Sequence, residues 1–263
     1  SHFMMEIAPK SLSFSNILGK YPHIKIVATS DLVHKKWIHF SIKTAESLIK
    51  RDFNFTVKQF NPDKAVRFKN IIVISSTTHR GADKVITMAV REVKAFSKQM
   101  RKNATSFNNS DQYILYLSRK HASHRRILNQ YNLTKIVKKV FPNLKFVLED
   151  QIHKLSMDNQ AILIRNANLI IEEGGGSTAF TSNLVGDDTP FVCISTTQRE
   201  NHASKIYLSG LGKYAAWILG EPIGKLTESP LVDNDIHVNE DEFKSMLVRL
   251  SLFLEKKFPM PQI

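Results

Sequence analysis

The sequence predicts an α/β protein with two Rossmann-like lobes, a smaller N-terminal one and a C-terminal one with a complete doubly wound parallel sheet. The chain has 263 residues, 42% of them hydrophobic, which is enough apolar surface for two lobes. From Asp111 onward, short β-branched runs alternate with helical periodicity, as expected of βαβ units. The polar segment from Asn103 to Gln112 is the best linker candidate. We therefore expect an N-terminal lobe over residues 6–107 and a C-terminal lobe over 108–263.

Hydrophobic periodicity predicts the individual elements of both lobes. In the first lobe we expect strands over 24–28, 55–59 and 71–75, with helices over 35–50 and 82–101. In the second we expect strands over 113–117, 144–148, 169–173, 191–195 and 215–219, joined by helices over 124–140, 156–167, 177–186 and 201–211. A closing helix follows Asn239, which can cap it, with three acidic residues in the first turn and one apolar face.

The charge balance indicates a negatively charged partner. The formal net charge is +13, which fits nucleic acid, an anionic membrane surface or a phosphorylated small molecule. The longest apolar runs are far shorter than the ~20 residues that cross a bilayer. The single cysteine, Cys193, lies in an apolar run and is expected to be a buried strand thiol. We expect a cytoplasmic protein, either soluble or peripheral at the inner face of the cell membrane.

A strongly basic turn follows the first strand of the second lobe. The run from Ser118 to Arg126 holds four cations and two histidines, and a helix is expected to begin near Arg125. Cations at a helix N-terminus oppose the helix dipole, so an anion should compensate them. Phosphate fits, because helix N-termini and arginine forks both bind it. We predict an anion site formed by Arg119, Arg125 and Arg126, to which Asn129 adds an amide contact. The alternative is a solvated cationic loop that binds nothing specific, with Asn129 as a polar surface residue.

A second turn of interest joins two glutamates to three glycines. Glu172 and Glu173 end a buried strand, and glycines followed by a helix start let backbone N–H groups approach an anion. The residues expected to contribute are Gly175, Gly176, Ser177 and Thr178. Either glutamate could be a general base, or it could pair with the nearby arginines. The segment from Asp150 to His153 supplies another possible base or a contact to the nucleotide.

Two stretches, YLSRKHASHRRILNQYNL and FVLEDQIHKLSMDNQAILIRNANLIIEEGGGSTAFTSNLV, resemble the characteristic half of the family 61 glycosyltransferases. The likeness covers about 80 residues and rests on motifs in a shared order. The matching positions are Ser118 with Arg119, Arg125 with Arg126 and Asn129, Gln160 with Ala167, and Gly176 with Ser177.

The resemblance implies a GT-B architecture and inverting, metal-independent transfer of a sugar. The donor would be a nucleotide-sugar, a UDP-sugar for preference, and no other cofactor is implied. The acceptor would be a glycan or lipid-linked glycan in surface polysaccharide, capsule or lipopolysaccharide synthesis. Many members carry His directly before the Gly-Ala or Gly-Ser step, whereas this chain has Gly175, and the usual Asn is displaced to Asn183. Either the activity is changed or a different group supplies the base.

Three other interpretations compete with this one. Asp233-Asn-Asp235 has the spacing of a metal-binding DxD motif but is more typical of a turn. A nucleic-acid-binding protein fits the charge, but no binding module is recognisable, so we expect no nucleic-acid partner. A non-catalytic nucleotide-sugar binder would keep the anion site without a base.

Overall fold

The computed structural model describes residues 20, 27–29, 36–49, 56–58, 90–103, 112–174, 177–196, 208, 211–223 and 234–257. The chain divides into two compact units, one comprising Ser1–Ser106 with Ala179–Leu184 and the other Phe107–Thr178 with Val185–Ile263. The predicted strand over 71–75 and most of the predicted helix over 201–211 lie outside the described residues. The domain limits expected from the sequence, and the roles of the two lobes, stay predictions.

The described residues of the N-terminal stretch form two parallel strands and two longer helices. Strand β1 (Val27–Thr29) pairs in parallel with β2 (Thr56–Lys58), and helix α1 (Lys36–Ile49) lies between them in the chain. This order is a βαβ unit, so the predicted helix over 35–50 and its flanking strands are confirmed. Helix α2 (Val90–Asn103) packs against α1.

The second unit contains a six-stranded sheet. Its strands are β3 (Tyr113–Leu117), β4 (Lys145–Glu149), β5 (Leu169–Glu173), β6 (Phe191–Thr196), β7 (Ala215–Pro222) and β8 (Ile236–His237). The helices within the same stretch of chain are α3 (Gln130–Val140), α4 (Met157–Arg165), α5 (Thr178–Leu184) and α6 (Glu240–Lys257), with a 3-10 turn at Ile152–Lys154. All five predicted strands are therefore present, within a few residues of the expected bounds.

The strand order in this sheet is β4-β3-β5-β6-β7-β8. Every neighbouring pair is parallel except β7 and β8, which are antiparallel. The α/β class predicted from the sequence is thereby confirmed, with a sheet dominated by parallel pairs. From β3 the chain moves outward to the edge strand β4 and then returns to β5 on the other side of β3, so the direction of winding reverses between β3 and β5.

Helices cover both faces of this sheet. Alternate strand residues such as Ile114, Tyr116 and Ile171 share one buried cluster with α3 and α6. The opposite face carries Tyr113, whose hydroxyl donates to the Leu163 carbonyl oxygen on α4 at 2.6 Å. Burial raises the pKa of Tyr113 to about 12. Cys193 lies in β6 as a buried free thiol, as predicted.

Most of α5 belongs to the first unit. The Phe180 ring meets that of Phe40 edge to face, with the ring centroids 5.9 Å apart. The Ser97 hydroxyl on α2 donates to the Asn183 carbonyl oxygen at 2.7 Å. These contacts explain why Ala179–Leu184 groups with α1 and α2 rather than with the sheet that precedes it in the chain.

The closing helix α6 begins as predicted. Asn239 Oδ1 accepts hydrogen bonds from the backbone N–H groups of Asp241 at 3.0 Å and Glu242 at 3.1 Å. These bonds satisfy two of the N–H groups that have no partner in the first turn of a helix. In the described part of the chain, no helix is long and apolar enough to cross a membrane.

The predicted helix start near Arg125 is wrong, because α3 begins at Gln130. Arg125 has a φ of 59°, in the left-handed region that interrupts a right-handed helix. Two residues later, Ile127 forms a parallel β-bridge with Ile236. The basic turn is therefore an extended loop held by β8, and its arginines do not lie at a helix N-terminus.

Candidate active site

The basic turn and the glutamate and glycine turn meet at one edge of the sheet. The first follows β3 and the second follows β5, and these strands are neighbours with Leu117 opposite Glu172. In an open parallel sheet, ligands bind beyond the carboxyl ends of the strands where the winding direction reverses. The fold therefore brings both predicted turns to the position where a ligand crevice is expected.

Glu173 joins these two turns. Its Oε2 accepts a hydrogen bond from the backbone N–H of Arg119 at 2.6 Å, and its Oε1 accepts from Gln130 Nε2 at 2.6 Å. The same Gln130 amide donates to the Ser118 hydroxyl. One carboxylate therefore holds the end of β5, the start of the basic turn and the first residue of α3 together.

The environment of Glu173 is nearly dry. Its exposure is only 2%, and burial raises the pKa of Glu173 to about 7 although its hydrogen bonds favour the ionised form. The neighbouring Tyr116 is fully buried, and burial, together with the charge of Glu173, raises its pKa well above the ordinary value. The Tyr116 hydroxyl has no well-formed hydrogen bond to a described residue.

Glu172 points to the other face of the sheet and organises the start of α5. Its Oε1 accepts from the Ser177 hydroxyl at 2.6 Å and from the Thr178 hydroxyl at 3.2 Å. Glu172 itself is 1% exposed. Both predicted catalytic carboxylates are thus buried and hydrogen-bonded, and their catalytic role stays a prediction.

Close packing against β6 explains the first glycine of the triple-glycine run. The Gly174 N–H donates to the Ile194 carbonyl oxygen at 2.7 Å, which extends the β5–β6 ladder by one bond. A Cβ at Gly174 would lie 3.0 Å from that oxygen and 3.3 Å from the Cys193 sulfur. Gly175 and Gly176 lie outside the described residues, so their contact with an anion stays a prediction.

A small cavity of about 10 Å³ lies between Arg125 and this bend. Arg125 reaches it from the basic turn, and the other walls come from the ends of β5 and β6 and from β8. The lining residues are Arg125, Glu173, Gly174, Ile194, Ser195, Thr196 and Ile236. The side chain of Arg125 is therefore beside the glycine bend, where the sequence predicts the anion site.

Arg126 is held by Asp235 just before β8. Its Nε donates to the Asp235 carboxylate at 3.0 and 3.2 Å and its Nη2 completes the pair, while the Arg126 backbone N–H donates to Oδ1 at 2.8 Å. Hydrogen bonds from Arg126 lower the pKa of Asp235. No described residue accepts a hydrogen bond from Nη1, and the Arg126 side chain is 48% exposed, so the guanidinium is oriented yet accessible.

The side chain of Asn129 is used in hydrogen bonds within the fold. Its Nδ2 donates to the Val238 carbonyl oxygen at 2.8 Å and to Glu240 Oε1 at 3.1 Å, and its Oδ1 accepts from the Val238 N–H at 3.1 Å. Both amide hydrogens are used, so the predicted contact to an anion would require one of these bonds to break. Asn129 instead ties the loop before α3 to the chain that enters α6.

A second cavity of about 350 Å³ lies at the opposite edge of the sheet, where the strands begin. It is lined by residues such as Gln112, Phe141 and Leu254. Although it is the roomier of the two cavities, ligands of open parallel sheets bind at the carboxyl edge. We therefore place the candidate site at the basic turn.

The structure adds side-chain contacts that the sequence patterns did not indicate. Gln130 carries no motif signal, and its role appears only when β3 and β5 are paired. Asp235 belongs to the DxD match interpreted as a turn; its pairing with Arg126 depends on a contact between residues 109 apart in the chain. His121 Nε2 lies 3.1 Å from Asp150 Oδ2 at the same edge of the sheet.

The fold and this edge define an α/β protein with a basic carboxyl edge at the reversal of its sheet. The family model described as Glycosyltransferase 61 matches residues 1–182. Because the match covers more than half of the 263 residues, the chain belongs to the glycosyltransferase 61 family, as its sequence resemblance indicates. The match includes both turns of the candidate site. No curated protein matches the chain.

Membership of this family supports glycosyltransferase activity in general. It implies a sugar donor and a glycan acceptor as the partners of the protein.

Proposed function

We propose that this protein is an inverting, metal-independent hexosyl- or pentosyltransferase of GT-B architecture. It takes the sugar from a nucleotide-diphosphate donor, a UDP-sugar for preference, and transfers it to a glycan or lipid-linked glycan. The product belongs to surface polysaccharide, capsule or lipopolysaccharide synthesis at the inner face of the cell membrane. The N-terminal lobe would receive the acceptor and the C-terminal lobe the donor.

One observation carries this proposal: Arg125 and the Glu173–Gly174 bend line the same cavity at the reversal of the sheet. Cations gathered at this edge match the charge of a diphosphate, and family membership supplies the reaction class. If the basic turn were only a solvated cationic loop, we would not expect the buried Glu173 carboxylate to hold its first residues at this edge.

The arginines supply the chemistry that the leaving group needs. When the bond to the anomeric carbon breaks, negative charge builds up on the diphosphate, and preoriented guanidinium groups stabilise it. Asp235 holds Arg126 through Nε and Nη2, which leaves Nη1 to face a phosphate oxygen. Arg119 and Arg125 add charge from the same loop. A bound diphosphate would also offset the repulsion among these cations.

The Arg126→Ala variant tests the assignment. We expect kcat to fall about 100-fold or more, by analogy with the loss of one oriented donor to a developing oxyanion. The midpoint of thermal unfolding should hardly change, because the Arg126–Asp235 pair is exposed. Arg249→Ala, which removes an exposed arginine from α6, is the matched control and should keep wild-type turnover.

The same preparations separate the competing functions. A non-catalytic binder would be stabilised by UDP in a melting assay but release no sugar from any donor. A nucleic-acid-binding protein would respond to oligonucleotides, with an affinity that falls steeply with salt. If the Arg126→Ala variant keeps the wild-type kcat, Arg126 does not belong to the site.

A further inference from the structure

A histidine and an aspartate form a pair at the carboxyl edge of the sheet, beside the basic turn. His121 lies in the turn after β3, and Asp150 directly follows the adjacent strand β4. The His121 Nε2 and Asp150 Oδ2 atoms are 3.1 Å apart, although the residues are 29 positions apart in the chain. The pairing of Leu117 with Glu149 brings the two turns level with each other. The contact between His121 and Asp150 therefore depends on the pairing of β3 with β4.

Accessibility separates this pair from the two glutamates. Glu172 and Glu173 are 1% and 2% exposed, and both accept hydrogen bonds from neighbouring groups. The side chains of His121 and Asp150 are 51% and 31% exposed. A sugar hydroxyl that approaches this edge reaches an imidazole, whereas either carboxylate would have to lose its buried bonds first.

The orientation of the pair gives each nitrogen of the ring a distinct role. A carboxylate at Nε2 favours the tautomer with the proton on that nitrogen, which leaves a lone pair on Nδ1. Among the described residues, Asp150 is the partner of the His121 ring. The other charged or titratable groups on these turns are Arg119, Lys120, His124, Arg125 and Arg126 after β3, and Glu149, His153 and Lys154 at and beyond the end of β4. The Glu149 carboxylate accepts the Gln151 N–H.

We propose that His121 is the general base of the transfer reaction and that Asp150 is its positioning residue. This inference rests on the proposed function. The acceptor hydroxyl gives its proton to His121 Nδ1 as its oxygen forms a bond to the anomeric carbon. The bond between that carbon and the diphosphate oxygen breaks, and its electron pair leaves with the nucleoside diphosphate. Asp150 stabilises the resulting imidazolium, which later passes the proton to water.

The test measures UDP release from the best donor in a panel of UDP-hexoses and UDP-pentoses, with alkyl glycosides as acceptors. Affinity for UDP is measured on the same preparations. His121→Ala should lower kcat about 100-fold or more while UDP affinity and the melting temperature stay unchanged. Added imidazole should restore part of the lost kcat. Asp150→Asn should lower kcat less than His121→Ala does and leave the KM for the donor unchanged.

His237→Asn is the control, because it removes an exposed imidazole on β8 and should keep wild-type kcat. If His121→Ala retains wild-type kcat, or if its loss of turnover is matched by loss of UDP binding and imidazole has no effect, His121 is not the base. In those cases the wild-type protein still transfers sugar, and the proposed function stands. A wild-type protein that neither binds UDP nor releases it from any donor ends both proposals.

Discussion

At the scale of single residues, Glu173 is the most consequential side chain in the candidate site. Its carboxylate receives the Arg119 N–H and the Gln130 amide in a nearly dry environment. Desolvation disfavours the ionised form, so the group holds its proton up to a pKa of about 7. Glu173 therefore changes its protonation state near neutral pH while it holds the basic turn in place.

A Glu173→Gln variant tests this coupling through stability. In the wild-type protein the folded state keeps a proton that the unfolded chain loses near its ordinary pKa of 4.5. The stabilisation is complete below that value and is lost as pH rises through about 7. Chemical denaturation at several pH values should show the stability of the wild-type protein, relative to the variant, falling by roughly 3 kcal/mol between pH 4.5 and 8.

Glutamine does not titrate, so the difference between the two proteins isolates this one group from the other carboxylates. A pH-independent difference would mean that Glu173 is ionised throughout the range. In that case the carboxylate would need compensating charge from the arginines, which is the pairing that the sequence leaves open for the two glutamates.

Asp235 should act through Arg126 rather than by contact with substrate. The Asp235→Ala variant leaves the Arg126 guanidinium without the carboxylate that orients it. Because a misplaced catalytic group slows the reaction, kcat should fall about tenfold or more. The melting temperature should change little. The measurement is a double-mutant cycle with Arg126→Ala. In the Arg126→Ala background the second change should have no further effect on kcat. Additive losses would instead show that Asp235 has a separate role.

At the scale of elements, the start of α6 depends on one side chain. Asn239 Oδ1 accepts two backbone N–H bonds, and Asn129 and Asn132 both donate to Glu240 in the next position. Asn239→Ala should lower the free energy of unfolding by ~1 kcal/mol, measured by urea denaturation. Asn239→Ser, which keeps a capping oxygen, should stay close to the wild type. Equal stability of all three proteins would show that the cap contributes nothing.

The elements also show where prediction from sequence succeeds. The strands Tyr113–Leu117 and Leu169–Glu173 lie at the expected bounds, because the first is a continuous apolar run and the second begins with one. The helix expected from residue 124 begins only at Gln130. Its periodicity is real, but the Ile127–Ile236 bridge and the left-handed Arg125 override it. Such long-range contacts leave no local pattern in the sequence.

In the candidate site, too, contacts between residues that are distant in the chain could not be predicted from local sequence patterns. The sequence places Arg125 in the turn after the first strand of the second lobe and Glu173 at the end of a later strand, and the sheet order then brings both to one cavity. It does not show that Glu173 is buried, because burial depends on Tyr116 and Gln130 from other elements. The pairs Arg126–Asp235 and His121–Asp150 join residues that are distant in the chain, so they appear only in the folded protein.

At the scale of the whole molecule, charge and topology point to the same edge. A net charge of +13 indicates a negatively charged partner, and the reversal of winding between β3 and β5 places the basic turn where ligands of such sheets bind. Family membership then narrows the partner to a sugar donor and a glycan acceptor. The central claim is that the diphosphate of the donor lies between Arg125, Arg126 and the glycine bend.

The most direct test of this claim is the thermal unfolding midpoint with UDP, UMP and uridine, for the wild-type protein and for Arg125→Ala. At UDP concentrations ~100 times its Kd, the wild-type midpoint should rise by roughly 5 °C or more, with much smaller shifts for UMP and uridine. Arg125→Ala should lose most of the response to UDP. If UMP stabilises the wild-type protein as well as UDP does, or if the variant responds like the wild type, the diphosphate is not held at this edge.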